Sequence, residues 1–149
     1  MGPLIEQLGA RPYLDANVVV YMVENYDAYA GFSAALTAAL DQGDLVAVTS
    51  ELTLAEVLVK PYQLDRAELI QAYETFLEPD GALQVEPVTG PVLREAARLR
   101  ARSRLRLPDA IHAATAVAAG CSVLLTNDHG LRQFQDLPVK LVADLLTGH

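Results

Sequence analysis

Apolar runs alternate with helical periodicity along nearly the whole chain, a pattern that predicts βα units and a parallel sheet. Residues 11–15 (RPYLD) read as a short strand ending at Asp15. The spacing over 27–41 predicts a helix, closed by Gln42-Gly43-Asp44. Residues 45–49 (LVAVT) form a continuous apolar run, as a buried strand requires. Helices are expected over 51–60 and 64–77, the first ended by Pro61 and the second by Glu78-Pro79-Asp80-Gly81. A third strand follows over 82–88, then a helix over 90–103 and an Ala-rich helix over 108–119 that stops at Gly120. Residues 122–126 (SVLLT) read as a fourth strand, 128–135 as a short helix or turn, and 139–142 as a fifth strand. No repeat, low-complexity tract or Gly/Ser linker divides the 149 residues, so one domain spanning 1–149 is expected.

Composition narrows the class. A chain of this length buries roughly 68–70% of its unfolded surface and needs no disulfide or structural metal. Its single cysteine, Cys121, forbids an internal disulfide and fits a reducing cytoplasm. Cys121 opens an apolar run and reads as a small buried hydrophobe. The first residues lack a basic start followed by an apolar stretch, and no apolar window is long enough for a transmembrane helix. No membrane partner is expected. The formal net charge of −8 argues against a general nucleic-acid coat protein. The distribution qualifies this: Arg94, Arg98, Arg100, Arg102, Arg104 and Arg106 lie in one segment. Such a segment is either a solvated helix face or a local grip on a phosphate backbone.

Four acids follow predicted strands or open predicted helices, and each has an ordinary explanation. Asp15, in Leu14-Asp15-Ala16-Asn17, suits a turn or a helix N-cap. Glu56 completes Thr53-x-x-Glu56, a capping-box spacing; a helix starting at Ser50 would instead put Glu56 in its second turn. Asp109 follows Pro108 at a helix start, and Asp128 sits in a polar turn after the fourth strand. Their conjunction is what matters. The carboxyl ends of parallel strands share one edge, where ligands bind in open α/β sheets. Carboxylates gathered there repel one another unless cations lie between them. Hard divalent cations take oxygen ligands and serve phosphodiester hydrolysis. No Cys/His cluster suggests zinc, and no Gly-rich phosphate loop suggests nucleotide binding.

The segments Leu14-Asp15-Ala16-Asn17, Thr53-x-x-Glu56, Leu107-Pro108-Asp109-Ala110-x-His112-Ala113-Ala114-Thr115-Ala116 and Leu125-Thr126-Asn127-Asp128 resemble the ordered motifs of PIN domains. The likeness is closest to the VapC branch of toxin–antitoxin ribonucleases and runs from about residue 11 to 142. It implies a three-layer α/β/α sandwich around a mostly parallel sheet of four to five strands in the order 3-2-1-4-5. It implies an Mg²⁺- or Mn²⁺-dependent endoribonuclease whose catalytic, metal-binding quartet is Asp15, Glu56, Asp109 and Asp128. Asn17 and Thr126 match supporting polar positions. His112, three residues after Asp109 on one helix face, is expected to pack or to support the site rather than to bind metal. A cytoplasmic homodimer, an RNA substrate and a partner antitoxin protein are implied as well.

Arg104 and Arg106 run directly into Pro108-Asp109 and are expected to bind RNA phosphates. Tyr21, Tyr26, Tyr29 and Phe32 cluster near the second helix, where packing or a dimer surface is expected ahead of base stacking. Leu54, Leu58, Tyr62, Leu69, Tyr73 and Phe76 exceed what one core face needs, so part of them is expected to form an antitoxin or dimer contact. A haloacid-dehalogenase-type phosphatase would need a second Asp where Asn17 stands, and a late Lys in a suitable motif. A PIN fold that binds a partner without cutting is the alternative from another class.

Overall fold

Five short strands form one all-parallel sheet, in the computed structural model, which describes residues 3–147. They are β1 (Pro12–Leu14), β2 (Val48–Ser50), β3 (Gln84–Glu86), β4 (Val123–Thr126) and β5 (Val139–Leu141), in the order 3-2-1-4-5. Tyr13 lies opposite Val48 on one side and Leu124 on the other, and Leu14 opposite Leu125. Side chains alternate across a strand, so Tyr13 and Leu14 enter different cores. Leu14 and Leu125 pack with Val18, Val19, Leu36, Val57 and Tyr73. These come from α2 (Ala16–Val23), α3 (Ala30–Asp41), α4 (Glu51–Gln63) and α5 (Ala67–Phe76). Tyr13, Val48 and Leu124 pack instead with Val92, Ala96, Leu99 and Ile111, from α6 (Gly90–Ala101) and α7 (Leu107–Ala118). Helices thus cover both faces, which makes the three-layer α/β/α sandwich. Short helices α1 (Pro3–Leu8) and α8 (Val142–Thr147) complete the chain.

Several local boundaries differ from the sequence pattern, each for an identifiable reason. The pattern assigns no element to 16–26, yet α2 forms there. Asp15 caps it, accepting the Val18 N–H at 3.3 Å, and Val18, Val19 and Met22 are drawn into the core. The expected strand over 45–49 pairs only from Val48; Leu45 and Ala47 are buried without being part of it. Burial, not pairing, accounts for that apolar run. Pro61 does not end the first helix, which continues to Gln63. Proline forfeits one helical hydrogen bond, but its ring is buried, and the Leu64 N–H still closes on the Lys60 carbonyl. The next helix starts at Ala67 because Asp65 adopts a left-handed turn at φ 51°. Val142, the expected last residue of β5, opens α8 instead.

Candidate active site

β1 ends at Leu14 and the backbone of Asp15 stays extended (φ −80°, ψ 179°) before α2 begins. The Asp15 N–H reaches the Leu125 carbonyl at 3.3 Å, which continues the β1–β4 ladder by one residue. This places Asp15 beside Thr126. The Thr126 hydroxyl donates to Asp15 Oδ2 and accepts the Asp128 N–H at 2.9 Å. One buried hydroxyl thereby ties the acid after β1 to the acid after β4. Asp15 is only 4% exposed, and burial raises its pKa to about 6 against the pull of Thr126 and His112. Asn17 stands exposed in the first turn of α2.

Glu56 arrives by a different route. Ser50 caps α4 by accepting the Leu52 N–H at 3.0 Å, so the capping-box reading of Thr53 and Glu56 fails and Glu56 lies in the second turn. The Thr49 hydroxyl donates to the Leu14 carbonyl at 2.7 Å and sits 2.8 Å from the Thr53 hydroxyl, which anchors the first turn of α4 to the sheet. Glu56 is on the same helix face as Thr53. There its Oε1 meets His112 Nε2 at 2.7 Å, while His112 Nδ1 lies 2.6 Å from the Tyr13 hydroxyl. Burial, followed by the nearby Asp15 charge, pushes the Tyr13 phenol well above its ordinary range.

Asp109, in the first turn of α7, is 8% exposed. Its pKa is raised by burial and then by the Asp128 carboxylate, and lowered by Arg106. Arg106 Nε donates to Asp109 Oδ2 at 3.3 Å and Nη2 to Asp128 Oδ2 at 3.2 Å. Asp128 Oδ1 accepts the Gly130 N–H at 2.8 Å, which caps a 3₁₀ turn over His129–Gln133. The Arg106 side chain is 74% exposed, so the cation that bridges the two carboxylates faces solvent. Arg104 also has an exposed side chain; its backbone N–H donates to Gln133 Oε1 at 2.9 Å. Farther back on α6, Arg98 and Arg102 share Glu95 at 3.0 and 3.8 Å.

The four acids therefore follow strands or open helices at the carboxyl edge of the sheet; Thr126 and Arg106 link Asp15, Asp128 and Asp109, while His112 links Glu56 to Tyr13. Their chemistry suits a hard divalent cation: all donors are carboxylate oxygens, and two of the acids carry raised pKa values that nearby positive charge would relieve. They do not form a preformed cage. Among the described residues, no three His, Cys, Asp or Glu side chains are grouped to hold one ion. Arg106 and His112 presently take up acceptors of three of the four.

Sequence reasoning passes over Tyr13 and Asn127. The Asn127 amide donates to the hydroxyls of Tyr21 (3.2 Å) and Tyr29 (3.0 Å), and its carbonyl accepts the Ala143 N–H at 3.0 Å. Tyr21 packs on Tyr29 with ring centroids 4.3 Å apart, and Phe32 is buried in the core. Nothing in Tyr13-Leu14 alone signals a partner; the only clue is its place two residues before Asp15, on the same strand face. Burial pushes the Cys121 thiol up to about 11, which suits a packed hydrophobe and not a nucleophile.

The Asp15 carboxyl has a folded pKa of about 6 against an ordinary 3.8, so folding favours its protonated form. Its contribution to stability is full below about pH 4 and is lost as pH rises through 6. In chelator, Asp15→Asn should therefore stabilise the protein by about 3 kcal/mol at pH 8 and by almost nothing at pH 4. Urea unfolding at the two pH values measures this; equal effects at both would show that burial of the charge is not the cause.

A family model for the PIN domain matches residues 13–137. No curated protein sequence matches the chain. Among solved structures, a chain of the FitAB complex bound to an IR36 DNA fragment superposes with a TM-score of 0.69 at 21% identity, covering 88% of this chain and 94% of that one. A chain of VapBC2 from Rickettsia felis, bound to a DNA fragment from its promoter, gives 0.67 at 19%, covering 88% and 98%. The sarcin-ricin loop cleaving toxin VapC20 of Mycobacterium tuberculosis gives 0.67 at 18%, covering 85% and 98%. These likenesses concern the fold. The family match spans most of the chain and includes Asp15, Glu56, Asp109 and Asp128. This chain belongs to the PIN-domain family.

Proposed function

We propose that the protein is a metal-dependent endoribonuclease of the VapC kind, the toxin of a toxin–antitoxin pair. The observation that carries the reading is the linkage of Asp15, Asp128 and Asp109 through Thr126 and Arg106 at one sheet edge, with Asp15 buried at a raised pKa. Structural neighbours from toxin–antitoxin complexes, and one described as a sarcin-ricin loop cleaving toxin, support it. The four carboxylates would hold Mg²⁺ or Mn²⁺. Such an ion would offset phosphate charge and activate the attacking water. Thr126 holds the Asp15 carboxylate and the Asp128 backbone, so the turn that carries Asp128 is fixed relative to Asp15. Arg106 neutralises Asp109 and Asp128 until they are otherwise satisfied, and then joins Arg104 in gripping RNA phosphates. A PIN-fold binding module that cuts nothing would have no use for an intact set of four acids, two of them buried.

The partner side of the proposal concerns the far side of Glu56. A cleft of about 190 Å³ lies between α2, α4 and α5, floored by Val20, Val57, Leu69 and Tyr73. Tyr26 and Leu64, which line it, are 44% and 56% exposed, and Val59 and Tyr62 stand exposed on α4. Of the six apolar residues expected here, Tyr73 is buried, Tyr62 is exposed, and Leu54, Leu58, Leu69 and Phe76 are partly buried against the core. An amphipathic antitoxin helix would cover this rim and close off Glu56. A cytoplasmic homodimer is part of the same reading; among the described residues no helix is long and apolar enough to cross a membrane.

Three outcomes test the proposal. Purified protein with Mn²⁺ should cleave RNA, and Asp109→Asn should slow cleavage on the order of 100-fold or more, several kcal/mol of lost charge stabilisation. Undiminished cleavage in that variant would sink the assignment. Arg104→Ala with Arg106→Ala should weaken RNA binding for all sequences alike and flatten its salt dependence by roughly 0.7 per lost contact on single strands. An unchanged salt slope would return both arginines to structural roles. Tyr62→Asp with Leu64→Asp should leave cleavage intact while weakening inhibition by the protein encoded in the adjacent upstream reading frame. Equal inhibition of both proteins would place the antitoxin elsewhere.

A further inference from the structure

We propose that Tyr13 and His112 form a buried positioning chain that holds Glu56 in the orientation a cation requires. This rests on the reading of Glu56 as one of the carboxylates that take the metal. Tyr13 is fully buried and His112 is 2% exposed, whereas the Glu56 side chain is 32% exposed. The chain of contacts thus runs from the interior of the sheet, through one helix, to the edge where the acids stand. Both ring nitrogens of His112 are engaged, Nδ1 at 2.6 Å from the Tyr13 hydroxyl and Nε2 at 2.7 Å from Glu56 Oε1. A histidine kept only to fill space would not need two partners placed on opposite sides of its ring.

The chemistry of the three groups gives the chain a direction. A carboxylate only accepts hydrogen bonds, so the proton of a neutral imidazole belongs on Nε2. Nδ1 is then bare and accepts from the Tyr13 hydroxyl. Glu56 in this way sets the tautomer whose N–H points at it, and the Tyr13 hydroxyl, able to donate or accept, satisfies the nitrogen left bare. Glutamate has three rotatable side-chain bonds, and on an exposed helix turn it would sample many orientations. His112 restricts it by holding Oε1, which leaves Oε2 for a ligand. The Tyr13 and His112 rings also pack edge to face, with centroids 5.7 Å apart, so neither ring turns independently. His112 is a positioning residue: its nitrogens are already used and buried away from substrate.

Hydrogen-bonding partners behind metal ligands typically contribute 10–100-fold to metal affinity. Calorimetric titration of the full chain with Mn²⁺ should therefore show an affinity loss of that order in His112→Leu. His112→Gln, whose amide can donate to Glu56 and accept from Tyr13, should stay close to the wild type, which separates a lost hydrogen bond from a damaged fold. Glu56→Gln combined with His112→Leu should bind no more weakly than Glu56→Gln alone, since the histidine acts through the glutamate. Long-range proton–nitrogen correlation spectra of the metal-free protein should report the Nε2–H tautomer for His112. Unchanged Mn²⁺ affinity in His112→Leu, additive losses in the double variant, or an Nδ1–H tautomer would each overturn the positioning role while leaving the metal site standing. A wild-type chain that takes up no Mn²⁺ would instead overturn the reading of the acids themselves.

Discussion

The site depends on the pairing of β1 with β4. Leu14 faces Leu125, and the ladder runs one residue past the strand through the Asp15 N–H and the Leu125 carbonyl. That single extra bond sets Asp15 against Thr126. A carboxylate that is 4% exposed cannot stand in a protein interior without donors, and here they are the Thr126 hydroxyl and the Val18 N–H. The same extended backbone keeps Tyr13 and Asp15 on one face, the face on which α7 lies. Asp109 and His112 come from α7. A shift of one residue in the β1 register would turn Leu14 toward α7 and send Tyr13 and Asp15 into the other core.

Around that pairing, negative charge is handled locally. Arg106 spans Asp109 and Asp128, Thr126 serves Asp15, and His112 serves Glu56. Each arrangement satisfies an acid without removing it. Burial raises the pKa values of Asp15 and Asp109 despite these partners, and the Asp128 charge adds to the rise at Asp109. A protein optimised only for stability would place apolar groups at these strand ends. Keeping carboxylates there trades stability for a surface that attracts positive charge.

Much of this was legible in the chain. Parallel strands and acids at strand ends follow from periodicity and from the short polar segments after each apolar run, while the helix layers on both faces were implied by the likeness to PIN domains. The strand order came from the likeness of the motifs to PIN domains, and the sheet has that order. What stayed hidden had physical causes. Val18, Val19 and Val20 have weak helix propensity, so α2 exists through its Asp15 cap and its packing rather than its composition. Pro61 reads as a stop because local rules cannot know that its ring is buried. The Tyr13–His112 contact joins residues 99 apart, and no local pattern records such a distance. Arg106 looked like a free phosphate grip; only the approach of α7 to the turn after β4 shows it bonded to two acids.

The sheet is also narrow at its margins. The two edge strands, β3 and β5, are three residues each. Pro87 follows one directly and Pro138 precedes the other, so each exposed ladder is cut short by a residue without an N–H. Lys140 sits in the middle of β5, with its ammonium on the Gln7 carbonyl. Short, proline-bounded and charged edges are poor templates for another chain's strand. A protein that is more than half apolar by composition therefore offers little purchase for edge-to-edge polymerisation.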